Sequence, residues 1–377
     1  MKKILAPFGM VFVSGAFVLL FWNEGRTVQT AKSLKEGARA VVSVSADKVD
    51  PANEGKLVHM TGEATTTETL SDPDFGISVR AIKLERQAEM YQWKEETASH
   101  GGSNSSAGSE NGTTYNYSLV WSPTLIQSSS FKEHNSHENP HSMLFKSQTE
   151  TAKKVTLGSF TLSDAQVDML IKVEDFNLDE EAAAASPAGK AGFKLNESGY
   201  YKGADPSSPA VGDIRVAFKV VRPAAVSIVA RQISDTFEPF QAKAGGSILL
   251  VSYGTMGADS MFHTEEESNV VMGWALRFAG LLMMVLGIFM VFRPFAAIAN
   301  WFPFFGTVVG AGILLFAAIL GTCLTIATIA LSWLYFRPLF GIGLLVLAGG
   351  GLLGLINLAR GRNKQGLPAG AATTQAQ

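Results

Sequence analysis

The chain of 377 residues carries 33 acidic and 31 basic side chains, a net charge of -2, so no basic field points to nucleic acid. Its hydrophobic share of 47% gathers in long apolar runs, which makes a membrane protein the first reading. The single cysteine, Cys323, excludes an intramolecular disulfide and argues against a cysteine-ligated metal centre.

Met1-Lys2-Lys3 precedes an apolar run from Ile4 to Trp22. A cleaved signal peptide would have a shorter core and a small-residue cleavage site, whereas Asn-Glu-Gly-Arg follows here. The run is therefore read as an uncleaved first transmembrane helix, residues 1–22.

Residues 23–269 form a large soluble domain in which short alternating or β-branched segments predominate. Strands are predicted at 40–45, 56–61, 77–91, 115–121, 154–161, 213–221, 225–233 and 247–253. Helical spacing occurs at 163–173, with Ser163 and Asp164 as caps, and again at 259–267, leading toward the membrane. The Gly/Ser/Asn-rich stretch 100–114 reads as a loop between hairpin strands. The acidic run Glu174 to Glu181 and the AAAASPAGKAG that follows lack calcium-loop spacing and read as a solvated surface loop.

From Val270 to Leu358 the chain is almost wholly apolar, with charge only at Arg277, Arg293 and Arg337. Lipid offers the backbone no hydrogen-bond partners, so these runs are expected to be helices, at 270–292, 305–336 and 338–358. Arg293-Pro294 and Arg337-Pro338 mark turns, Trp301-Phe302-Pro303 suits the headgroup level, and residues 359–377 form a cytoplasmic tail. The fold class is thus an α+β integral membrane protein with four transmembrane helices and a mainly-β domain inserted between the first and second. Lys2, Lys3, Arg293, Arg360, Arg362 and Lys364 fall on one side, which the positive-inside rule makes cytoplasmic, and the soluble domain then faces outward or into a lumen.

His137-Glu138-Asn139-Pro140-His141 matches the H-E-x-x-H pattern of zinc hydrolases, with His134 as a possible third ligand. Pro140 works against it, because it removes a backbone donor and pushes Asn139 toward extended geometry, so a polar turn is the better reading. No G-x-S-x-G, phosphate loop or dinucleotide fingerprint occurs in the soluble domain, and no catalytic residue, cofactor or metal is assigned. Arg277 is the membrane-embedded charge. It either contacts an ion or substrate, or snorkels to the interface or pairs with a carboxylate of the soluble domain, and the second option is favoured. Gly273, Gly280 and Gly287 recur every seven residues, while Gly306/Gly310 and Gly350/Gly354 form G-x-x-x-G pairs; all suit helix packing or assembly between copies.

Several motifs stand in an order that resembles the LUMA family, transmembrane protein 43. They include Asn23-Glu24-Gly25-Arg26, Leu70-Ser71-Asp72-Pro73-Asp74-Phe75-Gly76, Gln87-Ala88-Glu89-Met90-Tyr91-Gln92-Trp93, His137-Glu138-Asn139-Pro140, Val211-Gly212-Asp213-Ile214-Arg215-Val216 and Tyr335-Phe336-Arg337-Pro338. The resemblance implies four helices, no catalytic activity, and proteins of the endoplasmic reticulum and inner nuclear membrane that self-associate and organise membrane protein complexes. Its partners would be the lipid bilayer, further copies of itself and other membrane proteins. The alanine-rich, compact sequence suggests a bacterial member, which would reside in the cytoplasmic membrane. A membrane-bound zinc hydrolase and a lipid- or channel-associated accessory protein centred on Arg277 are the alternatives. Asp213 and Arg215 lie on one side of a strand, where they could pair across it.

Overall fold

A computed structural model of the chain describes residues 5–99, 113–176, 179–196, 199–299, 305–339 and 342–343. It contains both helices and sheets and divides into two compact units. One draws on Met1–Arg39, Gln241–Ile248 and Phe262–Gln377, the other on Ala40–Phe240 and Leu249–Met261.

The first unit holds all but the ends of three helices long and apolar enough to cross a bilayer: α1 (Leu5–Ala40), α5 (Ala258–Ala299) and α6 (Phe305–Phe336). Two of them outrun their predicted ends. Helix α1 does not stop at Trp22 but continues through Asn23-Glu24-Gly25-Arg26 to Ala40, because those polar side chains find partners on neighbouring helices. Helix α5 absorbs the predicted 259–267 segment and runs through Arg293-Pro294, where a turn was expected. A proline costs an interior helix one hydrogen bond, a defect that membrane helices tolerate when their surroundings compensate. Helix α6 ends at Phe336, beside the predicted Arg337-Pro338 turn. The fourth predicted span, 338–358, and Trp301-Phe302-Pro303 fall almost entirely outside the described residues.

The second unit holds most of the β structure. Its strands are β1 (Val42–Ser43), β2 (Leu57–Thr65), β3 (Thr69–Asp72), β4 (Ile77–Arg80), β5 (Lys83–Ser99), β6 (Thr113–Ser122), β7 (Gln148–Thr151), β8 (Val155–Leu157), β9 (Phe160–Leu162), β10 (Glu174–Asp175), β11 (Lys194–Asn196), β12 (Gly199–Lys202), β13 (Ile214–Val221), β14 (Ala224–Ile233), β15 (Thr236–Glu238) and β18 (Leu250–Tyr253). The short strands β16 (Phe240–Gln241) and β17 (Ser247–Ile248) lie where the chain passes between units. One seven-stranded sheet runs β15-β14-β2-β8-β9, with β1 and β18 paired to β2 and β14; the other runs β11-β12-β13-β5-β6, with β10 and β7 paired to β13 and β5.

Each predicted stretch contains strand, with 247–253 broken at Leu249 and two longer ones divided as well. Residues 77–91 split at Ala81-Ile82, and 154–161 fold into the β8–β9 hairpin. At that hairpin Gly158 has φ +59°, and a Cβ there would lie 2.2 Å from the carbonyl oxygen of Ala46, so glycine is required twice over. The two sheets share one core in which Met60, Leu84, Ala88, Met90, Phe218 and Ile228 are buried. Phe75 sits in its aromatic centre, 4.8 Å from the rings of both Tyr200 and Phe145.

Two local expectations are corrected. The helix predicted at 163–173 is only α2 (Asp164–Asp168), started by a reciprocal Ser163/Gln166 capping box and ended where Leu170 turns into the core. The acidic stretch predicted as a loop is structured on both sides of residues 177–178. Glu174–Asp175 pairs with β13, and Asp179 caps α3 (Glu180–Ala185), which is followed by α4 (Pro187–Lys190), capped by Ser186. Ala183, Ala188 and Phe193 are buried against the core, which stabilises two helices too short to form alone.

Candidate functional site: a buried polar clasp among the long helices

Glu24 is fully buried on α1 and accepts three donors. Arg277 of α5 grips it in bidentate fashion, Nε to Oε1 at 2.6 Å and a terminal guanidinium nitrogen to Oε2 at 3.0 Å. Trp333 of α6 donates its indole N–H to Oε2 at 2.8 Å. One carboxylate thus ties three helices together. The guanidinium also lies 4.8 Å from the Trp274 ring centre, an arrangement that suits a cation in a dry setting.

The neighbouring residues extend this clasp. Asn23 donates to the Gly273 carbonyl at 3.0 Å, Asn269 donates to the Thr27 carbonyl at 3.0 Å, and Arg26 donates to the Asn269 side-chain oxygen at 3.1 Å. A Cβ on Gly25 would come within 2.7 Å of the Phe336 ring, so glycine lets α6 approach. Each residue of Asn23-Glu24-Gly25-Arg26 therefore has its own contact with another helix.

The seven-residue glycine spacing falls on one seam, and α1 fills it. Gly273 faces Thr27, Gly280 faces Leu20, and Gly287 faces Val13 and Gly9. At the last crossing a Cβ on Gly9 would lie 2.7 Å from the Gly287 oxygen, and one on Gly287 2.9 Å from the Gly9 oxygen, so neither helix can carry a side chain there. Gly321 of α6 packs on Val285, where a Cβ would lie 2.8 Å from a side-chain methyl and 3.2 Å from the Cα. Gly306 and Gly310 are helical in α6, whereas Gly350 and Gly354 lie outside the described residues.

The histidine cluster is placed differently from a zinc site. His134–Ser136 forms a single 3-10 turn, and His137 follows with φ −132° and ψ 49°, so His137 and His141 do not share a helical face. The His137 ring stacks on Tyr117 with centroids 3.7 Å apart and meets the edge of Trp93. Glu138 and His141 point to solvent beside an open cleft of about 340 Å³ that His134 also lines. Among the described residues no group of three or more His, Cys, Asp or Glu side chains could hold a metal ion.

Asn139 is the buried member of this motif, and its amide stands in for a missing strand. Strand β13 reaches β5 as far as Met90, and Asp213 and Gly212 bond Tyr91. One step further along, Asn139 accepts from the Trp93 N–H at 2.7 Å and donates to the Trp93 carbonyl at 2.9 Å. Asn139→Ala leaves both groups unpaired in a buried place, and we expect it to lower stability by about 1–3 kcal/mol in thermal unfolding of the full chain.

Two further charged groups are organised in the β unit. Arg86 is buried, bonding Asp72 at 2.8 Å, Asp74 at 3.1 Å and the Lys146 carbonyl at 2.9 Å, between the rings of Phe75 and Phe145. Burial pushes the Asp72 carboxyl above its ordinary value, and the Arg86 guanidinium pulls it part of the way back. The Asp213 and Arg215 pairing expected from sequence does not form. Asp213 accepts from the Tyr201 hydroxyl at 2.6 Å, while Arg215 reaches across to Glu89 on β5 and lies over the Trp121 ring. Burial, reinforced by the bond to Asp213, pushes the Tyr201 phenol up.

Long apolar helices joined by an internal ion pair, on a chain that also carries a large β unit, define an integral membrane protein of mixed α and β structure. The chain belongs to the transmembrane protein 43 family. The family's model, described as Transmembrane protein 43, matches residues 90–338. Transmembrane protein 43 of Homo sapiens is 36% identical over 340 residues, covering 87% of this chain and 83% of its own. The Pongo abelii protein of that name is 36% identical over 354 residues, covering 90% and 86%. A Drosophila melanogaster homolog is 30% identical over 362 residues, covering 92% of each. These relatives are animal proteins, which runs against the expectation of a bacterial member. No solved structure matches the chain.

Proposed function

We propose that this protein is a non-enzymatic, multi-pass membrane scaffold that self-associates and organises other membrane proteins. The observation that carries the reading is the Glu24 clasp. Its carboxylate is saturated by Arg277 and Trp333, so the embedded charge holds helices together and presents nothing to an ion or substrate. A rigid bundle carrying a large folded β unit suits assembly better than transport, which needs polar groups free at mid-membrane.

In this reading the chain crosses the bilayer four times, with the β domain inserted between the first and second spans and facing outward or into a lumen. Lys2, Lys3 and Arg293 then lie on the cytoplasmic side. The seam of Gly273, Gly280 and Gly287 serves packing within one chain, since α1 occupies it. For a cell with internal membranes, the endoplasmic reticulum and inner nuclear membrane are the fitting sites.

Crosslinking in intact membranes, followed by native mass determination in mild detergent with metal quantified on the same sample, tests this. A discrete metal-free oligomer is expected. A strictly monomeric protein that crosslinks to nothing would end the scaffold reading, and stoichiometric zinc lost on His137→Ala would replace it with a hydrolase.

A further inference from the structure

Strand β6 ends the order β11-β12-β13-β5-β6, and it is bonded to β5 without a bulge from Met90↔Ser122 to Ser99↔Thr113. Among the described residues, no backbone hydrogen bond leaves its outer edge. Edge strands of lone proteins are guarded against pairing by charge, proline, bulges or brevity. The other edges here follow that rule: β11 has three residues and starts with Lys194, and β15 has three and ends with Glu238, tied to Arg231. Strand β6 has ten residues and reads TTYNYSLVWS, with no charge, proline or glycine. The far edge of β5 is sealed by Asn139, whereas among the described residues no backbone group pairs with this one.

We propose that the outer edge of β6 pairs antiparallel with β6 of a second copy, joining two five-strand paths into one continuous sheet. The inference rests on the self-association reading and gives it an address. With Ser118 on the two-fold axis, Tyr117 falls opposite Leu119, Tyr115 opposite Trp121 and Asn116 opposite Val120. Aromatic residues then meet aromatic or aliphatic ones, and no like charges oppose. An isologous contact of this kind closes on itself as a dimer and does not propagate into a fibre.

A foreign peptide fits the same edge less well. Peptides added to a sheet edge are selected by pockets for alternate side chains, and the alternate residues here are already engaged, Tyr117 by His137 and Trp121 by Tyr91. A strand pair buries little surface, but two copies held in one membrane meet at high effective concentration, so a modest ladder suffices.

The test uses the full chain with Cys323→Ala, in intact membranes under mild oxidation. Ser118→Cys alone is expected to form a disulfide-linked dimer. Asn116→Cys and Val120→Cys are expected to crosslink when the two are co-expressed, at least several-fold more than either alone. Separately, Ser118→Glu sets two carboxylates face to face across the edge at an exposed position, while within its own chain it lies opposite Lys94, and it is expected to weaken self-association at least tenfold without lowering thermal unfolding. If Ser118→Cys does not crosslink and Ser118→Glu leaves a wild-type oligomer unchanged, the edge is wrong and the scaffold reading stands. If the unmodified chain is itself monomeric, both fail. A Ser118→Cys crosslink only to a chain of different mass would overturn the proposal in favour of a peptide partner.

Discussion

Glu24→Ala is expected to destabilise the helical unit by about 3–5 kcal/mol, read as a fall in thermal unfolding temperature in mild detergent. The change removes the carboxylate that Arg277 grips and also strands the Trp333 indole N–H. What is lost is less the attraction itself than the cover it gives, since an unpaired guanidinium in apolar surroundings costs several kcal/mol. The apolar double variant Glu24→Leu/Arg277→Met separates these. It removes both charges together and should recover most of the single variant's loss, giving a strong coupling in a double-mutant cycle. Trp333→Phe, which leaves the ion pair intact, should cost only about 0.5–1.5 kcal/mol. If Arg277 instead served an ion or substrate, Arg277→Met in the double variant would abolish that contact while Glu24→Ala left it free. An ion leak that changes on Glu24→Ala with unaltered stability would therefore contradict the clasp.

The sequence made half of this clasp visible. Arg277 stands out because it is a charge inside an apolar run, and Gly273, Gly280 and Gly287 because their spacing puts them on one helical face. Their partners were not visible, since Glu24 is 253 residues from Arg277 and polar side chains after an apolar run look like an exit from the membrane. The continuation of α1 to Ala40 was hidden for the same reason. Trp333 carried no signal that set it apart from an interfacial aromatic. In the β unit, alternation located the long strands but missed short ones such as β3, β7, β11 and β12, and it could not show which register or edge they take. Pro140 rightly spoke against a helical histidine pair, whereas the duty of Asn139 depends on where β13 stops, a tertiary fact. The stretch 174–191 is the clearest lesson. Its charges suggested a loop, yet Asp179 and Ser186-Pro187 are ordinary helix-start signals that local chemistry could have supplied.

Arg86→Met should be the most damaging single change in the β unit, with a loss of about 3–5 kcal/mol at neutral pH, and its pH dependence identifies the cause. In the native chain Asp72 already sits above its unfolded value of 3.8 because it is buried, and Arg86 is the main influence holding it down. A carboxyl whose folded value is raised contributes stability below its unfolded value and loses it as pH rises through the folded one. Removing the guanidinium raises Asp72 further, so the window over which stability is lost widens upward from about pH 4. Arg86→Met should therefore be least harmful near pH 4, where Asp72 is protonated, and progressively more harmful toward pH 7. Adding Asp72→Asn removes the buried charge at every pH, so the double variant should be more stable than Arg86→Met at pH 7 and nearly flat between the two. Asp74, half-exposed and 3.1 Å from Arg86, can turn to water and should not reproduce the effect. Chemical unfolding of the full chain at pH 4.5 and 7 measures the difference. A loss equal at both pH values would mean that Arg86 acts through its packing between Phe75 and Phe145 and its bond to the Lys146 carbonyl, with the charge on Asp72 incidental.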